Sequence, residues 1–311
     1  MKIRHMLAVF VLCSLAITAA YAKEGSDSYP NGAENWQAGN VPGPGFYYLN
    51  YFVYYSGDLK NGSGDKVSLA GSTPSVTAEA NAFRFLYVPN FKLLGGTYVV
   101  HLIVPVVHQN VNMGGEKSIT GTGDFSIVPF AVSWHGKVIH QYAGLDIQAP
   151  TGHFNANDPR VSIGSGTWTE TPIYGVSYLP SSGWELSGKF MYDFHQKNGS
   201  DNYKSGQDLH VDYLAGKHFG SLGLAAAGYV VKQFTDDTLN GATVAAVPGL
   251  YSTGRRGQVL SIGPSAMYVN KKHIIFAAQY MHETLTENRF GGDKFLVRLI
   301  VPTSSLWKKS K

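Results

Sequence analysis

Residues 184–195 alternate between charged and apolar side chains, and this pattern constrains the fold more than any other stretch of the sequence. Glu185, Lys189 and Asp193 fall on one face of an extended chain, whereas Trp184 and further aromatic residues fall on the other. A soluble sheet would need other elements to cover so much aromatic surface, and the sequence contains no amphipathic helix for that purpose. A transmembrane β-barrel explains the pattern, because lipid covers the apolar face and the polar face lines an aqueous interior.

The same alternation recurs in 207–216 and 294–301. If these stretches are barrel strands, their charged faces line the lumen together with that of 184–195. Over the whole chain, the candidate lumen-lining residues are Arg84, Asp146, Glu185, Lys189, Asp193, His195, Asp208, His210, Asp212, Glu283, Lys294 and Arg298. Facing charges of both signs could hold a polar solute and set ion preference, or they could pair with one another and fill a narrow barrel. Both alternatives stay open at this point.

The first 22 residues have the pattern of a secretory signal peptide. Lys2 and Arg4 precede an apolar run, and small residues ending at Ala22 form a cleavage site. Cys13, the only cysteine, lies within this stretch, so the exported chain is expected to have no disulfide and no thiolate chemistry.

Composition excludes several classes of protein. Removal of the signal peptide leaves 23 basic and 21 acidic residues, a balance that does not indicate nucleic-acid binding. Beyond the signal peptide there is no apolar run of about 18 residues, which excludes helical membrane spans. A transmembrane barrel is consistent with this composition, because each strand combines apolar lipid-facing and polar lumen-facing side chains, and their mean hydropathy is therefore low.

Strand-like segments recur along the chain, separated by links that alternate between short and long. We therefore predict an all-β fold, a transmembrane antiparallel up-and-down β-barrel of about twelve strands. The predicted strands are 45–56, 79–89, 96–109, 123–135, 138–150, 167–179, 183–196, 206–218, 222–234, 257–269, 273–284 and 293–302. Segment 222–231 is small and apolar on both faces, and Pro105, Pro129, Pro172 and Pro264 interrupt predicted strands.

The links predict the topology of the barrel. Short links at 90–95, 136–137, 180–182, 219–221 and 270–272 are predicted to be periplasmic turns. Longer links at 57–78, 110–122, 151–166, 197–205, 235–256 and 285–292 are predicted to be extracellular loops. The predicted organisation is a signal peptide (1–22), a periplasmic N-terminal segment (23–44), the barrel (45–302) and a C-terminal tail (303–311), with both termini periplasmic. The segment 23–44 is either a plug within the barrel or a tether.

Several segments together resemble one known family. They are NGAENWQAG (31–39), PGPGFYYLNY (42–51), FKLLGG (91–96), GTGD (121–124), GLDIQAPTG (144–152), KFMYDF (189–194), YKSGQD (203–208) and ENRFGGDKF (287–295). The chain is similar to the meta-pathway phenol-degradation proteins, which are regarded as outer-membrane transporter-like barrels. This resemblance implies a channel for small, aromatic or hydrophobic compounds. The chain departs from the usual barrel ending, because Val301 and Pro302 are followed by a polar stretch, Trp307 and a basic tail.

Two further functions can be weighed from the residues. The stretch from His195 to Gly199 resembles the catalytic stretch of the outer-membrane phospholipases, but Lys197 stands where that family has its serine. Ser200 lies beyond an Asn-Gly turn, so we predict no enzyme. The histidines lack the spacing of a metal site, so we expect neither metal nor cofactor.

The sequence thus predicts an outer-membrane channel or transporter-like protein of a Gram-negative bacterium, exported through its signal peptide. The alternatives are a non-transporting surface barrel with an occluded lumen and, more distantly, a phospholipase-like hydrolase. The expected partners are outer-membrane lipid, the barrel-assembly machinery and a small solute of unknown identity.

Overall fold

A computed structural model describes residues 27–69 and 71–304 of the 311-residue chain. The predicted signal peptide (1–22) and Trp307, with most of the predicted tail, lie outside the described residues.

Twelve long strands form a closed antiparallel barrel. They are β1 (Gly45–Lys60), β2 (Ser75–Val88), β3 (Gly96–Asn112), β4 (Phe125–His135), β5 (Ile139–Ala149), β6 (Thr169–Tyr178), β7 (Trp184–His195), β8 (Asp208–Phe219), β9 (Leu222–Gln233), β10 (Gln258–Val269), β11 (Ile275–Glu287) and β12 (Arg289–Pro302). Each strand pairs with the next along the chain. The barrel closes where β1 pairs with β12, from Tyr47 opposite Pro302 to Lys60 opposite Arg289. The predicted fold class and strand number are confirmed.

The burial of β7 shows that the barrel is apolar outside and polar inside. Trp184 is 52% exposed and Phe190 43%, whereas Glu185 is fully buried and Asp193 is 1% exposed. A water-soluble protein has the opposite arrangement. Similar outward-facing apolar side chains follow the other strands around the barrel. This outer surface is suited to lipid contact.

Most links alternate in length as predicted, so the barrel has a short-turn end and a long-loop end. The link 285–292 is an exception, because both strands continue into it: β11 pairs with β10 as far as Glu287, and β12 pairs with β1 from Arg289, whereas their pairing with each other ends at His282 opposite Asp293. Only Asn288 separates β11 from β12, and its φ of 51° allows the reversal. Gly292 then pairs closely with β1, where a Cβ atom would lie 2.0 Å from the Ser56 carbonyl oxygen. These backbone features extend both strands beyond the prediction.

Other strands also extend toward the long-loop end. The predicted loop 110–122 contains a short strand, Glu116–Thr122, that folds back onto β3. Parts of the predicted loop 57–78 belong to β1 and β2, which pair from Asp58 opposite Ser75 onward. Polar strand ends do not show the apolar alternation, and therefore the sequence pattern misses them.

The four prolines lie where the ladder is irregular. Pro105 marks the point at which β3 changes partner from β4 to the strand Glu116–Thr122. Pro129 lies in a register shift between Ile127 and Phe130. Pro172 and Pro264 pair in register with one neighbouring strand each, and the pairing with the other neighbour is interrupted there. The missing N–H of proline accounts for the lost ladder bonds.

Single 3-10 turns form at Pro159–Val161 and Thr253–Arg255. Within the described ranges, no helix is long and apolar enough to cross a membrane.

Residues 27–44, here called the luminal segment, precede β1 and lie inside the barrel. Asn31 and Trp36 are 0% and 2% exposed, although neither belongs to a strand. This location is the one that the plug alternative describes. The predicted domain boundaries and the side of the membrane on which each end lies stay predictions.

Candidate functional site in the barrel interior

The structure places all twelve predicted lumen-lining residues in the barrel interior. Ten of them are buried, and Asp146 and His195 are half-buried. Eight of the twelve contact the luminal segment directly: Arg84, Glu185, Lys189, Asp193, His210, Asp212, Lys294 and Arg298. Most of the charged interior therefore contacts a part of this chain.

Asp212 on β8 is the central anchor of the segment. Its carboxylate accepts hydrogen bonds from the Gly32 amide at 2.7 Å, the Tyr29 hydroxyl at 2.8 Å and the Glu34 amide at 3.2 Å. Lys189 lies beside it, with Nζ 4.1 Å from the centre of the Tyr29 ring. Because these donors satisfy one fully buried carboxylate, the contact is specific to this backbone conformation.

Toward the long-loop end, charged and polar groups hold the start of the segment. Asp27 pairs with Arg289 at 2.7 Å. Asn31 bonds His210 through its side chain at 2.7 Å and accepts a bond from Lys294 at its carbonyl at 3.1 Å. The Ser28 hydroxyl donates to Asp193.

A second ion pair lies at the middle of the lumen. Glu34 pairs with Arg84 at 2.8 Å and accepts a hydrogen bond from the Tyr51 hydroxyl. Arg298 donates to the carbonyl oxygens of Ala33 and Trp36 at 3.4 and 3.3 Å. The cations of β2 and β12 are thus matched by a carboxylate and by backbone dipoles of the luminal segment.

Trp36 fills the lumen on the short-turn side of this pair. Its indole N–H donates to the Ser265 hydroxyl at 2.7 Å, and its ring packs edge-on against His218 at 5.3 Å. The ring fits because β9 has glycine at 223, where a Cβ atom would lie 2.7 Å from the indole. The small inward residues of β9, which weakened its sequence pattern, therefore make room for the luminal segment.

The segment approaches the wall most closely at Ala38 and Gly39. A Cβ atom on Gly175 of β6 would lie 2.3 Å from the Ala38 carbonyl oxygen. The Gly39 amide donates to the Ser177 hydroxyl at 3.0 Å, and the Gln37 amide donates to Glu185 at 2.6 Å. Close backbone approach of this kind requires glycine on the wall.

The other four predicted lumen-lining residues bond to side chains and backbone of the barrel wall. They are Asp146, His195, Asp208 and Glu283. Asp146 accepts from Ser126, and His195 bonds Thr169 at 3.0 Å and Asp208 at 3.2 Å. Glu283 accepts from the Tyr55 hydroxyl at 2.8 Å, the Gly292 amide at 2.9 Å and the Tyr229 hydroxyl. These four residues lie toward the long-loop end.

The geometry around His195 bears on the hydrolase alternative. The Ser200 hydroxyl donates to the Asn198 side chain at 2.7 Å, while His195 bonds Thr169 and Asp208. The serine and the histidine are thus engaged with different partners. In the parts of the chain that are described, no group of three or more histidine, cysteine, aspartate or glutamate residues could hold a metal ion.

A cavity lies in the lumen on each side of the buried stretch around Asn31 to Glu34. The loop-end cavity has a volume of about 250 Å³ and is lined by Asp27, Tyr29, apolar residues of β1–β3 and charged residues of the loops. The turn-end cavity has a volume of about 1060 Å³ and is lined by Trp36, Gln37 and residues up to Pro44. The two cavities share no lining residue among those described.

The two cavities differ in charge. The loop-end cavity is lined by six acidic residues and three basic ones: Asp27, Asp124, Asp146, Asp208, Asp237, Glu283, Arg255, Arg289 and Lys294. The turn-end cavity is lined by Glu34 and five basic residues: Arg84, Lys92, Lys271, Lys272 and Arg298. Any solute that crosses the lumen therefore passes between fields of opposite sign.

The sequence patterns did not identify Asp27, Glu34, Arg255 or Arg289 as interior residues. The alternation rule applies only to strands, and the first three residues lie outside them. One signal was present in the sequence. The charged residues predicted to point inward from β2 and β12, Arg84, Lys294 and Arg298, are all cations, and buried cations require acidic partners. Those partners precede the first strand.

Comparison with known proteins agrees with this fold. The crystal structure of the COG4313 outer membrane channel from Pseudomonas putida F1 aligns with a TM-score of 0.69 and 13% identity, covering 85% of this chain and 97% of that chain. The translocator domain of the autotransporter NalP from Neisseria meningitidis aligns with a TM-score of 0.48 and 10% identity, covering 85% and 90%. A search of curated proteins gave no match. At these identities the first alignment shows a shared outer-membrane barrel fold.

The sequence itself gives the family. Residues 56–299 match the family described as "Putative MetA-pathway of phenol degradation", which confirms the resemblance found in the sequence motifs. The match covers most of the barrel and more than half of the chain. The chain therefore belongs to this phenol-degradation family.

Proposed function

We propose that this protein is an outer-membrane channel for small, aromatic or hydrophobic compounds, closed in the conformation described here by the luminal segment. The observation that carries the proposal is the pair of cavities within one lumen, separated by residues that do not belong to the wall. A barrel filled only for stability would need no removable part and no space on both sides of it.

The luminal segment can leave without opening the wall. The ladder that closes the barrel joins β1 to β12 and uses residues 47–60 and 289–302. The contacts of the segment are mainly hydrogen bonds and ion pairs, as at Asp212 and Glu34. Water can replace such contacts, which lowers the free-energy cost of displacement relative to that of an apolar core.

The solute class rests on the family and on the wall of the loop-end cavity. The family description refers to phenol degradation. Val53, Ile103 and Val107 give the cavity an apolar side suited to an aromatic ring. No covalent step is part of the proposal.

The proposed location is the outer membrane of a Gram-negative bacterium, reached through the predicted signal peptide. The apolar outer surface of the barrel supports lipid as the surrounding phase, and the barrel-assembly machinery would insert it. A tag in loop 235–256 should be reachable on intact cells, whereas a tag at Gly136 should not. The opposite pattern would reverse the proposed orientation.

A sealed structural barrel is the second candidate. Asn31, Ala33, Asn35 and Trp36 are at most 2% exposed, so the segment fills the middle of the lumen. In this candidate the segment never leaves and the cavities hold only water.

Conductance across planar bilayers separates the two candidates. We expect deletion of residues 27–40 to give a steady current where the full chain stays mostly closed. A synthetic peptide of residues 27–44 should block that current, and a scrambled peptide should not. Heat-modifiable migration on gels would verify that the deletion variant is folded. A folded deletion variant without current, and without solute-dependent swelling of liposomes, would rule out the channel.

A further inference from the structure

We propose that the loop-end cavity is a binding site for a small carboxylate with an apolar body, of the size of a single-ring aromatic acid, and that Arg255 is its anchor. The proposal deepens the proposed function by naming the solute class. Its test measures binding, so it can fail or hold independently of conductance.

Within residues 27–69 and 71–304, the buried Arg255 guanidinium has no acidic partner. The residue is 5% exposed, lines the loop-end cavity, and has no hydrogen-bond partner at Nε or Nη2. Among the described residues, no carboxylate lies within ion-pair distance of it. An unpaired buried charge is costly, and its retention indicates a ligand that supplies the missing charge.

The acidic residues that line the cavity do not neutralise Arg255, because they accept hydrogen bonds from other groups of the protein. Asp124 accepts from the Gly152 amide at 2.8 Å and the Ser165 amide at 2.7 Å. Asp237 accepts from the Gly206 amide and from Gln233, both at 2.7 Å. The remaining acids bond as described above. The charge count of the cavity is acidic, yet buried N–H groups of Arg255 and Arg289 have no hydrogen-bond acceptor among the described residues.

The backbone around Arg255 holds the guanidinium in place. Arg255 has a φ of 48°, in the left-handed region that side chains other than glycine rarely adopt, and follows Gly254 at 70°. Two hydrogen bonds fix this turn: the Asp237 amide donates to the Gly254 carbonyl at 2.9 Å, and the Gly254 amide donates to the Val244 carbonyl at 2.8 Å. The Tyr251 ring lies 4.9 Å from the guanidinium carbon. Backbone strain of this kind is commonly found at functional sites.

The other side of the cavity is apolar. Side chains of β1 to β3, among them Val53, Ala80, Ile103 and Val107, face the cavity, and Phe290 joins them from β12. A cavity of about 250 Å³ has room for one aromatic ring with a carboxylate. A guanidinium binds a carboxylate through two parallel N–H···O bonds, whereas a neutral amide or alcohol cannot accept them equally well.

Equilibrium binding of benzoate to the detergent-purified full chain tests the site, measured by calorimetry and compared with benzamide, which has the same shape and no charge. We expect benzoate to bind at least about tenfold more tightly than benzamide. Arg255→Gln should remove this preference, and Arg255→Lys should retain part of it. Arg256→Gln is the matched control, because Arg256 is the adjacent residue, is largely exposed and pairs with Asp236 outside the cavity.

Three results would overturn the proposal: no binding of benzoate to the folded wild-type chain, equal binding of benzoate and benzamide, or unchanged benzoate affinity in folded Arg255→Gln. Conductance of the deletion variant without benzoate binding would leave the channel intact and remove the carboxylate site. Benzoate binding without conductance of the deletion variant would support the carboxylate site and rule out the channel.

Discussion

The two halves of the luminal segment are held in different ways. Residues 27–34 bond to charged side chains on β8 and β12 and, through Glu34, on β2, and the acidic loop-end cavity lies above them. Residues 36–44 pack by shape, with Trp36 against Gly223 and Ala38 against Gly175, and Pro42, Gly43 and Pro44 are exposed to the larger cavity. Charged groups hold most of the first half, whereas close fit and hydrogen bonds to Ser177, Glu185 and Ser265 hold the second, so different substitutions should release each half.

Asp212→Ala should have the largest effect, because it removes the anchor of the charged half. The change leaves the Gly32 amide and the Tyr29 hydroxyl without their acceptor and Lys189 without a neighbouring carboxylate. Loss of one partner from a buried charged group costs about 3–5 kcal/mol. Hydrogen exchange of the amides of residues 28–34 should accelerate strongly. Asp293→Asn is the control, since Asp293 lies on the outer surface, and it should leave exchange unchanged.

Gly175→Ala should displace the close-fitting half and leave the charged half in place. The added Cβ would lie 2.3 Å from the Ala38 carbonyl oxygen, and overpacking of this kind costs about 1–3 kcal/mol. Exchange should accelerate at residues 36–40 more than at 28–34. Gly188→Ala on the next strand places its Cβ no closer than 3.4 Å to any atom and serves as the control. Equal acceleration in both halves would show that the segment moves as one unit.

Ser265→Ala should weaken the close-fitting half by a smaller amount. It removes the acceptor of the Trp36 indole N–H, and one such hydrogen bond contributes about 1 kcal/mol. The indole fluorescence of Trp36, in a chain whose other tryptophans are replaced by phenylalanine, should shift toward that of a more mobile ring. An unchanged spectrum and unchanged exchange would assign the stability of this half to packing alone.

Lys271→Gln combined with Lys272→Gln should have the smallest effect, because both side chains are exposed and water screens them. In the 27–40 deletion variant, we expect the preference for anions over cations to fall about twofold at low salt and to be unchanged at high salt. Reversal potentials in a salt gradient measure this preference. Lys232→Gln, on the outer face of β9, should have no effect.

The barrel wall could be predicted from the sequence, because the alternation of polar and apolar residues is visible within a single strand. The alternation in β7 predicts which side chains of that strand point inward, without knowledge of any other strand. The link 285–292 was predicted wrongly because the reversal depends on one backbone conformation at Asn288, and neighbouring polar residues resemble those of a loop.

The interior arrangement was harder to predict because its contacts join residues that are far apart in sequence. Gly32 and Asp212 are separated by 180 positions, and Ala33 and Arg298 by 265. The luminal segment also has no periodic pattern that would mark one face as buried. The inward cations Arg84, Lys294 and Arg298 indicated that acidic partners were needed, but the alternation pattern could not locate those partners in the sequence.

The last strand has a consequence for how the molecule matures. β12 supplies the closing ladder for β1 and also Arg289, Lys294 and Arg298, which contact the luminal segment. A chain truncated before β12 therefore lacks both the seam and these three cations. Contacts between the two ends of a chain are slow to form, because the entropy cost of closing so long a loop opposes them. An unfinished barrel without β12 therefore cannot make the complete set of contacts that closes the lumen of the finished one.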